Sequence, residues 1–254
     1  MDPRLVSVVL TRNPNSPEVR RMKAAGAEVW GHIHFRSTWE NLKKVYPENP
    51  WISMRDLYGK HPGATVFVCG SGPSLAACPP ALPGPVFAIN RAILAVKADY
   101  WCFADMKAVR EWGEIEHAKN ALWCTGSAMH CFFPKTRLCL IEANGQPSAE
   151  KDPAKRQLYW SVATFSWVTH LAMKTGAKRI VFVGCEFSGE KHFTGEDLGD
   201  RPGLGSPVIL ETARMRMEEM FGPDKTEWYD PSVELLDASG GNLPIPKTRL
   251  EEWL

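Results

Sequence analysis

An unbroken apolar run that leads straight into a glycine turn constrains this chain more than any other segment: Val66-Phe67-Val68-Cys69, then Gly70-Ser71-Gly72-Pro73-Ser74-Leu75. A run without polar alternation predicts a strand covered on both faces, and such strands belong to parallel sheets flanked by helices. Gly70 and Gly72 can take backbone angles closed to other residues and let a ligand approach the main chain. Pro73 suits the first turn of a helix, where its missing N–H costs nothing. A helix opening there would aim unpaired N–H groups and a partial positive charge at an anion, with the Ser71 and Ser74 hydroxyls beside it. No Gly-Lys-Ser/Thr follows, so the turn is not a P-loop, and its spacing is not that of a dinucleotide fingerprint. A plain tight turn is the competing reading. The whole string after a strand favours a phosphate- or nucleotide-binding turn.

The flanking segments fit a sheet of this kind. Residues 5–10 read as a buried strand, 16–25 as a helix with Pro17 near its start and Gly26 at its end, and 27–30 as a second strand. That is a β-α-β unit, which favours parallel pairing with a right-handed crossover. Residues 36–61 read as a helix-and-loop connection punctuated by Pro47 and Pro50. Further strands are expected at 64–69, 86–89, 100–103, 121–124, 138–141 and 179–184, with helical spacing at 92–96, 107–119, 164–174 and 208–221. Residues 145–157 and 188–206 read as loops, and the second follows a strand, where active-site lids tend to sit. Beyond 221 a polar tail is expected, carrying Asp237-Ala238-Ser239-Gly240-Gly241. The expected fold is α/β: a Rossmann-like, mostly parallel open sheet with helices on both faces. It forms a single nucleotide-binding domain over 1–254, with an N-terminal extension at 1–62, the motif-bearing core at 63–200 and a C-terminal helix and tail at 201–254.

Composition narrows the function classes. An apolar fraction of 44% and a charged fraction of 23% supply an ordinary core. A net charge of +1 argues against a strongly basic nucleic-acid binder or a membrane-surface protein. No apolar stretch approaches the roughly 20 residues needed to cross a bilayer, and the first apolar run is too short for a signal peptide. The seven cysteines are odd in number and contain no C-x-x-C pair, which predicts reduced, mostly buried thiols in a cytoplasmic protein. His32-Ile33-His34 alternates as metal ligands do, but no further ligands stand near it, so no metal site is expected.

Three more positions carry chemistry. Asn90-Arg91 follows the strand expected at 86–89, and an Asn at a strand's carboxyl end can bond ribose, base or phosphate while Arg91 pairs with phosphate. A capping Asn is the plainer reading. Asp105 closes the strand at 100–103, with Asp99 just before it, and a carboxylate there can hold Mg2+, a ribose or an acceptor hydroxyl. Glu186 and His192 follow the strand at 179–184, where a loop His can act as general base. His170 is expected to be packed in its helix.

Taken in order, VFVCGSGPSL, FAINRAI, ADYWCFAD and TFSWVTHLAMKTGAKRIVFVGCEFSGEKHFTG resemble a superfamily. It joins bacterial CMP-sialic-acid-dependent sialyltransferases, motility-accessory flagellin glycosyltransferases and archaeal 6-hydroxymethyl-dihydropterin pyrophosphokinase-like proteins. The resemblance spans about Val66 to Gly195 and is nearest to the less characterised bacterial and phage members. It implies that Gly70, Ser71, Gly72, Pro73 and Ser74 lie at the nucleotide's phosphates and that Asn90 contacts the nucleotide, with Arg91 beside it. Thr164-Phe165 stands where the sialyltransferases show a Ser-Gly pair, and Glu186-Phe187 where the family has an acid and an apolar residue. Asp105 and His192 become the catalytic candidates. The implied function is transfer of a sugar from a nucleotide-sugar donor to a glycan or other hydroxyl acceptor. The alternatives are an ATP-dependent pyrophosphokinase of the pterin type, which requires Mg2+, and a non-catalytic nucleotide-binding module. A nucleic-acid acceptor draws no support from the charge.

Overall fold

The computed structural model describes residues 8–10, 28–30, 51–104, 106–125, 138–141, 143–144, 158–159, 164–187, 193–194, 221, 230–241 and 243–254. The first two strands, β1 (Val8–Leu10) and β2 (Glu28–Trp30), pair in parallel as expected. The helix anticipated between them lies outside the described residues, as do the loop at 145–157 and most of the segment from 188 to 220.

The main sheet is built from β3 (Trp51–Ser53), β4 (Thr65–Cys69), β5 (Val86–Ile89), β6 (Tyr100–Phe103), β7 (Leu122–Thr125) and β8 (Leu138–Leu140). After the short pair β9 (Ala143–Asn144) and β10 (Leu158–Tyr159), β11 (Arg179–Val183) and β12 (Glu234–Asp237) complete it. Eight strands run in the order β12-β11-β4-β5-β6-β7-β8-β3, and every pairing is parallel. The fold is α/β and Rossmann-like.

Alternation along each strand divides the apolar residues between two layers. Val66, Val68, Phe87, Ile89, Ile180 and Phe182 face α3 (Thr164–Lys174), whose residues Phe165 to Met173 are all buried. Phe67, Cys69, Ala88, Trp101, Val181 and Val183 face the opposite layer, formed by the 3-10 turn Asn90–Leu94, α1 (Met106–Trp112) and α2 (Glu116–Asn120). Both faces are covered, which is why the strands read as continuous apolar runs.

Several expectations are corrected here. The segment 36–61 contributes the edge strand β3 and the 3-10 turn Met54–Leu57, opened by a capping box between Ser53 and Asp56. The stretch 107–119 forms two helices because Gly113 breaks it, lying too close to the Val109 carbonyl and the Trp123 ring for a side chain. The polar tail contains β12, whose Leu235 and Leu236 are buried on opposite layers. The helical spacing at 92–96 belongs to the 3-10 turn Asn90–Leu94, which starts directly at the end of β5.

Strand order positions the site. From β4 the chain steps through β5, β6, β7 and β8 to one side, then returns to place β11 and β12 on the other. The loops after β4 and β11 therefore leave the sheet at its topological switch point, where open α/β sheets bind ligands. Register brings them level, since Cys69 lies opposite Val183.

Candidate functional site

The two loops at the switch point are stitched together. Gly70 N–H donates to the Val183 carbonyl at 2.8 Å, and Gly72 N–H donates to the Gly184 carbonyl at 2.7 Å. In return, Gly184 N–H donates to Ser74 Oγ at 3.0 Å. A Cβ on Gly70 would overlap the Gly184 carbonyl, and one on Gly72 would overlap the Glu186 carboxylate. Backbone thus imposes glycine at 70, whereas at 72 the crowding comes chiefly from the Glu186 side chain, with the Gly184 carbonyl at 2.9 Å behind it. The expected helix is a single 3-10 turn, Pro73–Ala77, with Pro73 at its start and Gly72 supplying no side-chain cap. Pro79 and Pro80 follow directly and stop it.

Glu186 occupies the turn. Its Oε1 accepts the Ser74 N–H at 2.5 Å. The expectation that the turn's amides stand open is therefore corrected: those of Gly70, Gly72 and Ser74 are all engaged within the protein. Among the described residues, the Ser71 N–H has no hydrogen-bond partner. The carboxylate's other oxygen, Oε2, is buried and has no partner among the described residues. Gly241 backs this arrangement, because a Cβ there would collide with the Glu186 main chain.

The tip of β5 supplies a second orphan. Asn90 Oδ1 is buried and without a partner, while its carbonyl accepts the Trp101 indole N–H at 2.9 Å. Ser71 Oγ leans toward the Ile89 carbonyl at 3.4 Å, joining the glycine turn to this tip. Asn90 and Phe187 have φ of +49° and +52°, the two non-glycine positive values among the described residues. Asn tolerates that region; a bulky Phe does so at a cost, and such strain gathers at functional sites. Phe187 meets Phe165 edge-on at 5.0 Å, so Thr164, the first residue of α3, lies one residue from a contact with the rim.

Arg91 behaves differently from the sequence expectation of a phosphate partner. It is buried, its guanidinium lies 5.5 Å from the Trp112 ring centre, and Nη1 donates to Thr194 Oγ1 at 3.1 Å. Phe193 N–H donates to the Ser71 carbonyl at 3.0 Å. Residues 193–194 of the expected lid thus return over the glycine turn and Arg91. Asp105 and His192 lie outside the described residues. Asp99 lies at the amino ends of β5 and β6, opposite the ends that form the crevice, where its Oδ2 accepts the Val86 N–H at 2.9 Å.

Sequence reasoning missed one knot on this side. Asp237, at the carboxyl end of β12, is wholly buried and accepts hydrogen bonds from the Ser239 hydroxyl and the Lys247 ammonium, and from the Ser239 N–H at 2.8 Å. Lys247 also donates to the Gly241 carbonyl at 2.6 Å and the Leu243 carbonyl at 3.1 Å. The signal was present in Asp237-Ala238-Ser239, an Asx-turn spacing. Neither a protein-family model nor a curated protein matches the chain.

Proposed function

We propose that the chain binds a nucleotide in the crevice between β4 and β11 and transfers a sugar from it to a hydroxyl acceptor, as a sialyltransferase-like glycosyltransferase. The observation that carries the binding half is the pair of buried acceptor oxygens without partners, Glu186 Oε2 and Asn90 Oδ1, at strand tips flanking β4. A buried polar atom left unpaired costs about 1–3 kcal/mol, so a ligand that brings donors is favoured there. Ribose hydroxyls or a base amino group fit that demand; a phosphate alone does not. The nucleoside is then the part gripped first, and phosphate takes the Ser71 N–H, or the Ser74 N–H once Glu186 moves aside.

The transfer half rests on the resemblance. It needs an oriented acceptor hydroxyl, a base, and charge stabilisation at the departing phosphate. Asp105 and His192 are the bases it offers. The pyrophosphokinase reading draws on one feature, the unpartnered carboxylate oxygen of Glu186, which is a donor of the kind Mg2+ takes. The described residues add no third acidic, His or Cys ligand to it, so no chemical step is assigned to the metal.

Thermal melting with CMP, UDP, GDP and ATP, each with and without Mg2+, tests the reading. One nucleotide should raise the melting temperature, and the matching nucleoside should reproduce much of the shift. Glu186→Gln and Asn90→Ala should each erase it. A shift from inorganic phosphate alone, or none from any nucleotide, overturns the proposal. Binding without turnover selects the non-catalytic module, and turnover abolished by EDTA selects the pyrophosphokinase.

A further inference from the structure

Residues 193–194 bridge the two turns that frame the crevice. Phe193 N–H donates to the Ser71 carbonyl at 3.0 Å, on the glycine turn after β4. Thr194 Oγ1 accepts from Arg91 Nη1 at 3.1 Å, on the 3-10 turn after β5. The Phe193 side chain packs against the apolar layer that holds Leu75 and Ala92. Arg91 is the buried end of this bridge. It is 9% exposed, with its guanidinium 5.5 Å from the Trp112 ring centre. A guanidinium is planar, permanently charged and able to stack on an aromatic face, so packing of this kind fixes the direction of its donors. Thr194 is exposed. The fixed donor thus lies inside, and the residue it holds lies outside.

The consequence falls on Ser71. Its carbonyl is taken by Phe193, and its Oγ leans toward the Ile89 carbonyl at 3.4 Å. Among the described residues its N–H has no partner, whereas the N–H groups of Gly70, Gly72 and Ser74 are engaged. A hydrogen bond weakens steeply off its axis, so a free N–H is a good donor only where its residue is held in place. We propose that Arg91 is a positioning residue: through Thr194 and Phe193 it fixes Ser71, so that the Ser71 N–H is set to receive the ligand's phosphate, and it does not bind that phosphate itself. The phosphate half of this statement rests on the nucleotide reading above; the anchor from Arg91 to Ser71 does not. A direct phosphate ligand and a positioning residue both lower phosphate affinity when removed. They differ in what Thr194 does.

The test uses the full-length protein and three single variants. Thr194→Val removes the acceptor at an exposed position, Thr194→Ser keeps it, and Arg91→Met removes the donor. Without ligand, amide exchange followed by NMR should show the Phe193 N–H exchanging about tenfold faster in Thr194→Val and Arg91→Met, the effect of losing one hydrogen bond. Thr194→Ser should restore the wild-type rate, and the Val181 and Phe182 amides of the central strand should keep theirs in all three. A variant that only loosened the fold would speed those core amides too. Calorimetry then takes whichever of CMP, UDP, GDP and ATP raises the melting temperature, together with its nucleoside. Arg91→Met and Thr194→Val should each weaken nucleotide binding about tenfold, and the double variant should lose no more than either alone, because both cut one chain of contacts. Nucleoside binding should be unchanged throughout. Losses that multiply, or a Thr194→Val that binds as the wild type while Arg91→Met does not, make Arg91 a phosphate ligand and overturn the proposal. An unchanged Phe193 exchange rate overturns the anchor. If none of the four nucleotides binds, the nucleotide reading fails and the phosphate role of Ser71 fails with it, while the exchange rates still decide whether Arg91 anchors this turn.

Discussion

Glu186 sits where the turn was expected to receive an anion, and the two glycines beneath it report on that arrangement in different ways. At Gly70 an added methyl meets the Gly184 carbonyl, which is backbone and cannot swing aside. At Gly72 it meets chiefly the end of the Glu186 side chain, which can. Gly70→Ala should therefore cost about 3 kcal/mol in urea unfolding and Gly72→Ala about 1 kcal/mol, the two ends of the usual overpacking range. The order reverses for ligand: by displacing Glu186, Gly72→Ala should weaken nucleotide affinity about tenfold, or 1.4 kcal/mol, as read by calorimetry. The turn itself was legible in the sequence, because two glycines and a proline after a strand announce a close backbone approach. Its occupant was not. Ser74 and Glu186 are 112 residues apart, and nothing local to either specifies the bond between them.

At the level of elements, the central strands were legible and the outer ones were not. β4, β5, β6 and β11 are buried on both faces and read as apolar runs. β12 opens on the exposed Glu234 and ends on Asp237, so its pattern looked like tail, and β3 is only three residues long. β12 depends on the Asp237–Lys247 contact, with a carboxylate wholly buried and an ammonium half exposed. Lys247→Met should leave that carboxylate without its counter-charge. Breaking a fully buried pair costs about 3–5 kcal/mol, and exposure of Lys247 reduces the expectation to about 2 kcal/mol of unfolding free energy. A change below about 0.5 kcal/mol, the scale of an ordinary surface substitution, would show that β12 does not need the ion pair.

A second element contact sets a pH dependence. Before β4, the His61 ring meets Tyr100 at the start of β6, Nε2 to hydroxyl at 2.7 Å. Burial holds the Tyr100 phenol protonated, with Cys124 and Asp99 adding to the effect. Burial is also the largest cause lowering the His61 pKa from its usual 6.5; Lys60 lowers it further and Asp99 opposes both. The unfolded chain then takes up the proton first as the solution is acidified. Stability from this contact is complete above about pH 6.5 and declines as the pH falls from there through the lower folded value. The melting temperature of His61→Gln should change less between pH 7.5 and 5.5 than that of the wild type; an equal change would remove His61 as the cause.

For the whole molecule, the legible quantity was the class of fold, because continuous apolar strands separated by helices have few other ways to bury both faces. Which strand neighbours which was not legible: apolar runs of similar character carry no address, and the order emerges from how the layers fill. That order has a consequence in time. β4 takes one neighbour from the chain that follows directly, but the other, β11, comes only after the whole β5–β10 stretch has been made. A ribosome adding about 5–20 residues per second needs on the order of ten seconds to cross that interval. Through it, β4 waits with one side unpaired, and the crevice does not yet exist. A nascent chain of this design must be shielded longest at the very place where its ligand will later sit.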